Sequence, residues 1–199
     1  MANIIQLRKG LDIRLNGAAA HEKMTVKSNG KYCLCPDDFT GVVPKVVVKE
    51  GDKVKAGDAL FINKNFPRVK FASPVSGVVT AVIRGDRRKV LGVSVSADSE
   101  QEYVDFGKKD VTTLSGAEVK ECLLEAGLFG FIDQLPYAVS TNDSTTPKAV
   151  FVSALRDKPL AADFEYELSG QENEFQTGIT ALSKIAPVYL GIGSRMSAP

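Results

Sequence analysis

Few side chains in this 199-residue chain could carry chemistry, and their spacing limits what each could do. The one histidine, His21, stands beside Glu22 and Lys23 in a small, polar stretch. A nucleophile relay needs a histidine oriented by partners, and none is apparent, so His21 reads as a solvated residue. Cys33 and Cys35 alternate, which puts both on one face of a strand; Cys122 stands apart. An odd number of cysteines with a single histidine points to three reduced thiols, not a zinc centre or a disulfide framework. Asp37 and Asp38 are adjacent and so point apart, which suits solvation better than paired acid–base work. Gly191-Ile192-Gly193 follows an apolar run but lacks the third glycine of a dinucleotide loop, and no helix-length segment follows it. It reads as a turn after an edge strand. Arg84, Arg87, Arg88 and Lys89 cluster at the end of a β-branched run. They form a solvated hairpin tip or a contact patch for an acidic partner.

The totals describe an ordinary globular chain. Hydrophobic residues make up 44% and charged residues 25%, and the net charge is +1. No global field favours nucleic acid or an acidic membrane surface. No apolar run reaches the ~18 to 20 residues of a membrane helix, and the first residues lack a signal-peptide core. The expected location is the cytoplasm, or the cytoplasmic face of a membrane reached through a partner.

The elements around these residues begin with a repeat. Gly41-Val42-Val43-Pro44-Lys45-Val46-Val47-Val48 and Gly77-Val78-Val79-Thr80-Ala81-Val82-Ile83 each open on glycine, and each ends in a Gly-Asp turn, Gly51-Asp52 and Gly85-Asp86. Two such hairpin units can bury together an apolar face that neither buries alone. Val46 and Val48 share one face and Lys45 and Lys49 the other; apolar Val47 on the lysine side predicts a strand covered on both faces. Glu50-Gly51-Asp52 and Ala56-Gly57-Asp58 supply turns, and Asn63 to Arg68 form a polar loop. Before the repeat, residues 4–15 suggest short strands, and Asn29-Gly30 marks a turn.

After it, residues 98–113 read as a linker. Ser115 and Glu118 form a capping box for a helix that carries Val119, Cys122, Leu123 and Ala126 on its apolar face and ends at Gly127. Residues 130–147 read as one long loop. The last fifty residues read as a β-α-β unit: a strand over 148–154, a helix started by a Ser169–Glu172 box with Phe175, Ile179, Leu182 and Ala186 on one face, and a strand over 187–192. Such a crossover predicts parallel, right-handed pairing. A parallel pair wants further cover, so the expectation is a fragment, or a sheet completed by another element. The segments are 1–30 (strands and loop), 31–97 (sandwich), 98–147 (linker with one helix) and 148–199 (β-α-β).

Residues 41–83 resemble the biotinyl/lipoyl fold, carried by the segments at 48–60 and 72–79. Carriers of that fold display a modified lysine between the halves. Lys64 lies nearest to that place, in Asn63-Lys64-Asn65, without the neighbours such a lysine has. A carrier or adaptor domain is therefore the alternative reading. A more specific resemblance spans nearly the whole chain. Lys9-Gly10-Leu11-Asp12, the Gly41 and Val69–Gly77 stretches, Glu125-Ala126-Gly127-Leu128, Asp143-Ser144-Thr145-Thr146-Pro147 and Pro159-Leu160-Ala161-Ala162-Asp163 carry it in order. Together they resemble the N-terminal part of the NqrA family, whose members belong to the sodium-translocating NADH:quinone oxidoreductase.

That resemblance implies an α+β, mixed architecture: a biotinyl/lipoyl-like barrel-sandwich hybrid, then the start of a Rossmann-like α/β domain. It implies a peripheral subunit on the cytoplasmic side of the inner membrane, within a pump that oxidises NADH, reduces ubiquinone to ubiquinol and exports sodium. The other subunits would be its partners, above all the membrane subunit with covalent flavin; nucleic acid and direct membrane insertion are not expected. The enzyme would be the complex, since this stretch carries no catalytic constellation of its own. Related flavoproteins place a glycine-rich phosphate loop where this chain has Gly130-Phe131-Ile132-Asp133. Side chains of that size and charge keep backbone amides from a phosphate, so no flavin or other cofactor is expected in this chain. Flavins and NADH would sit elsewhere in the complex. Ubiquinone is the possible substrate, and Phe129, Phe131 and Tyr137 are the candidates to line its slot.

Overall fold

The computed structural model describes residues 15–17, 19–26, 29–156, 158 and 160–193. The strands expected over 4–15 fall, except for Leu15, outside the described residues.

The repeat builds two antiparallel sheets. One runs in the order β1 (Lys31–Leu34), β7 (Val90–Ala97), β6 (Gly77–Arg84), β3 (Lys53–Val54). The other runs β2 (Pro44–Val46), β4 (Ala59–Asn63), β5 (Lys70–Ala72). Both contribute to one core, with Val54, Val79, Val93 and Val95 from the first sheet and Leu60, Phe61 and Phe71 from the second. Phe61 and Phe71 stack at 4.8 Å, and Phe39 lies 4.3 Å from Phe71. Each such aromatic contributes about 1.5–3 kcal/mol through burial alone. Val46 and Val48 face this core as expected, but Lys45 within β2 and Val47 just past it are exposed, so this stretch is covered on one face only.

The first two Gly-Asp turns use one device twice. Gly51 and Gly57 take φ of +90° and +103°, which side chains resist. Each following aspartate then accepts from the amide three residues back: Lys49 N–H donates to Asp52 Oδ2 at 2.8 Å and Lys55 N–H to Asp58 Oδ2 at 2.7 Å. The two halves interlock where Gly51 N–H donates to the Val79 carbonyl and Val79 N–H to that of Asp52. The third turn, Gly85-Asp86, departs from the pattern. Gly85 has a negative φ, and the left-handed positions fall on Arg87 (φ +53°) and Arg88 (φ +62°).

The segment read as a linker lies along the sandwich. Ala56 forms a parallel bridge with Tyr103; Ala56 N–H donates to the Glu102 carbonyl and Val104 N–H to that of Ala56. The buried Ser76 donates its amide to Gln101 Oε1, and its hydroxyl accepts from Glu102 N–H.

Helix α1 (Gly116–Glu125) starts where the sequence places it. Ser115 and Glu118 complete the box, and Gly127 at φ +70° turns the chain away. Leu124 enters the sandwich core, while Cys122, expected within an apolar face, is half-buried and accepts from Lys109 Nζ at 3.1 Å. Residues 130–147 are more ordered than a long loop. They hold a small hairpin, β8 (Asp133–Gln134) with β9 (Val139–Ser140), tied to the sandwich by Ser140 N–H donating to the Thr40 carbonyl.

The α/β unit follows as β10 (Val150–Ser153), α2 (Phe164–Leu168), α3 (Glu172–Ile185) and β11 (Val188–Gly191), with the strands parallel as expected. Two helices make the crossover where one was expected. The Ser169–Glu172 box does not form, because Ser169 closes α2 and Gln171 occupies the start of α3. Glu172 accepts instead from Gly170 N–H. Phe175, Ile179 and Leu182 are half-buried and Ala186 buried, so the predicted face of α3 is the inner one. Gly116 lets α1 approach α3: a Cβ there would sit 2.1 Å from the Lys184 carbonyl oxygen.

Candidate functional site

The basic cluster sits at the tip of the β6–β7 hairpin. Asp86 to Lys89 form a two-residue turn closed by Lys89 N–H donating to the Asp86 carbonyl, with both central residues left-handed. Hairpins favour this turn because its twist matches the strands, but asparagine and glycine usually fill it. Arg84 donates to the Arg88 carbonyl at 3.2 Å, and Lys89 pairs with Asp37 at 2.7 Å. Arg87 and Arg88 are exposed at the apex. The structure thus gathers the four basic residues, commits Lys89 to Asp37 and projects two arginines. Asp37 is engaged by Lys89, not merely solvated.

The aromatic candidates separate. Phe129 is 4% exposed, belongs to the sandwich core and has Lys120 Nζ 5.4 Å from its ring centre. It packs the core and lines no open slot. Phe131 lies edge-on against Phe39 at 5.0 Å with half its surface free, and Tyr137 is 83% exposed. Gly130 lies between Phe129 and Phe131 because a Cβ there would meet the Phe71 ring at 2.7 Å. Around this turn the amides of Gly127, Leu128, Phe131 and Ile132 already donate to carbonyls of residues 123–129. Those donors are spent internally and are not aimed outward at a phosphate.

Lys64 is exposed at the β4–β5 turn, but the turn is bound close to the sandwich. Lys64 N–H donates to the Val43 carbonyl, Asn63 is buried, and Phe66 packs on the core. Gly191 ends β11, and its carbonyl accepts from Ala154 and Leu155 N–H, as a strand-end turn would.

One cavity was not legible in the sequence. About 600 Å³ lies beyond the carboxyl ends of β10 and β11, lined by residues 19–23, 154–156, 161–164, 166, 167 and 193. His21 stands 5.1 Å from Tyr166 there, edge to face, and Arg156 pairs with Glu167 at 3.0 Å. Residues some 140 positions apart meet in it, and no local pattern announces that. A second cavity of about 590 Å³ lies between residues 108–112 and the face of α3 at Gln176, Thr177 and Thr180. None of the three candidate aromatics lines either cavity.

Comparison with known proteins fits both halves of this architecture. Residues 5–98 match the NqrA N-terminal barrel-sandwich hybrid domain, and residues 114–198 match the NqrA second alpha/beta domain. Among similar proteins, the NqrA subunit of the Na(+)-translocating NADH-quinone reductase of Pseudomonas aeruginosa is 31% identical over 198 residues, 98% of this chain and 44% of that protein. Its counterpart in Haemophilus influenzae is 30% identical over 92% of this chain and 42% of its own length. That of Yersinia pestis is 30% identical over 92% and 41%. The chain thus spans less than half the length of these curated relatives. A barrel-sandwich hybrid followed by an α/β domain, matched in order along the chain, makes it a member of the NqrA family of Na(+)-translocating NADH-quinone reductase subunits.

Proposed function

We propose that this chain is the N-terminal scaffold of a peripheral subunit in a membrane redox pump that oxidises NADH, reduces ubiquinone to ubiquinol and exports sodium ions. The observation that carries the reading is kinship over both domains in order. The scaffold holds no flavin, in keeping with the amides of Gly127, Leu128, Phe131 and Ile132, which are spent on internal carbonyls. It docks on the cytoplasmic side of the inner membrane through sister subunits, including the one with covalent flavin. Among the described residues, no helix is long and apolar enough to cross a membrane.

The β6–β7 tip is the contact, with Arg87 and Arg88 meeting acidic side chains of a partner. Backbone geometry supports this, since two arginines hold left-handed positions that asparagine and glycine usually fill, and solubility alone does not call for them there. The quinone contact of this region falls to Phe131 and Tyr137, which are open where Phe129 is not. The test is co-purification of the membrane subunits with a tagged full-length NqrA protein containing this region. Arg87→Glu with Arg88→Glu should cut recovery of the membrane subunits at least tenfold; full recovery would remove the tip from the interface. Failure of the unaltered protein to recover them would reject the scaffold reading.

A further inference from the structure

We propose that Cys33 and Cys35 form a two-thiol chelating site for a soft, thiophilic divalent cation. This does not depend on the role of the pump. The two sulfurs lie 3.9 Å apart. A tetrahedral cation with metal–sulfur bonds of about 2.3 Å spans a sulfur–sulfur edge of about 3.8 Å. The pair is therefore set at chelating distance without movement of the backbone.

The same spacing argues against a disulfide. Residues two apart on an extended strand have Cα atoms about 6.7 Å apart, near the upper limit for a disulfide and beyond its usual ~5.5–6 Å. Strand β1 is held extended by its ladder to β7, with Cys33 opposite Ser94 and Leu34 opposite Val93. Cys35 continues the extension at φ −101°, ψ 118°. Closing a sulfur–sulfur bond would need the strand to shorten against that ladder.

The neighbouring strand leaves room for the sulfurs. Gly92 on β7 lies under both thiols, where a Cβ would sit 2.5 Å from Cys33 Sγ and 3.8 Å from Cys35 Sγ. Cys33 is exposed and Cys35 half-buried, so a cation can approach from solvent. Burial, the Cys33 thiol and the carboxylates of Asp38 and Asp37 push the Cys35 thiol above its ordinary pKa. Of these carboxylates, Asp37 is neutralised in part by Lys89. Cys35 thus holds its proton until a cation displaces it. In that step two sulfur–metal bonds form, two protons leave to solvent, and nothing is oxidised or reduced. Among the described residues, no group of three or more histidine, cysteine, aspartate or glutamate side chains is arranged to hold a metal. Water or a small ligand completes the coordination, which makes the site open and exchangeable rather than structural.

The test is titration of the reduced protein with Cd²⁺, following the sulfur-to-cadmium charge-transfer absorbance. One equivalent should saturate the signal. Cys33→Ser and Cys35→Ser should each weaken binding at least tenfold, and Cys122→Ser should leave it unchanged, with circular dichroism confirming that each variant is folded. An unchanged titration in Cys33→Ser, or a signal lost only in Cys122→Ser, overturns the proposal. A phenylarsenical(III), which needs two thiols within reach, gives a check on the unaltered protein. A one-to-one adduct by mass is expected, and its absence overturns the proposal as well.

Discussion

Phe71 and Phe151 are the same residue type on short strands of one chain, yet the first is fully buried and the second 68% exposed. The contrast extends to the regions around them. All eight of the largest fully buried side chains lie between Leu60 and Val95, inside the sandwich. In the α/β unit, by contrast, neither α2 nor α3 has a fully buried residue among those described. The β10–β11 pair leaves one face to solvent, where Phe151 and Tyr189 stack at 5.5 Å. Two sheets facing each other share each apolar side chain between them, so the sandwich closes most of its core itself, with Leu124 and Phe129 added from α1 and the turn after it. A parallel pair with helices on one side has a second face to cover. Similar local patterns therefore yield a finished core in one region and an open one in the other.

The largest test of this difference is a pair of truncations. Phe71→Ala should cost about 3–5 kcal/mol in a denaturant titration, through lost burial and the cavity left behind. Phe151→Ala should cost within about 0.5 kcal/mol, as an exposed substitution does. Equal losses would break the contrast. Next is Gly116→Ala, which drives a methyl group into the Lys184 carbonyl and should cost about 1–3 kcal/mol. Amide exchange should then rise in α3 and β11 while Val79, Val93 and Val95 stay protected; loosening of the sandwich instead would merge the two regions energetically.

Ser115→Ala removes half of the capping box and should cost about 1 kcal/mol. Acid should act on the same place. The Ser115 amide and hydroxyl hold the Glu118 carboxyl below its ordinary pKa. A carboxyl depressed by folding adds stability that is full above its unfolded pKa and lost as pH falls through the folded one. Thermal unfolding should therefore show a larger loss on acidification for the unaltered protein than for Glu118→Gln. The smallest effect is a gain. Arg87→Asn with Arg88→Gly relieves the left-handed strain and should stabilise the sandwich by about 1 kcal/mol while weakening the proposed partner contact. A loss of stability would mean that the arginines support the hairpin itself.

The sequence was most legible where a pattern is satisfied by its own neighbours. Ser115 with Glu118, Gly51 with Asp52 and Gly127 all behave as their residue types dictate. The same Ser-x-x-Glu spacing misled at Ser169, because a preceding short helix claimed that serine as its end. A local pattern states which hydrogen bonds are available, not which helix will use them. The aromatics at 129–137 were harder still. One turn of chain sends Phe129 inward and leaves Phe131 half free, and only the position of the sandwich decides which. The cavity near His21 had no local signal at all, since it joins segments far apart in the chain.

The bridge between Ala56 and Tyr103 bears on how the chain leaves the ribosome. Every strand of the sandwich is present once Ala97 has emerged, but the residues that seal it, Gln101 to Val104, come afterwards. Until they arrive, the Ser76 amide and hydroxyl lack the partners they have in the finished fold. The nascent sandwich is therefore latched first by the segment that leads to the next domain, and its core closes only when Leu124 and Phe129 from the start of that domain join it.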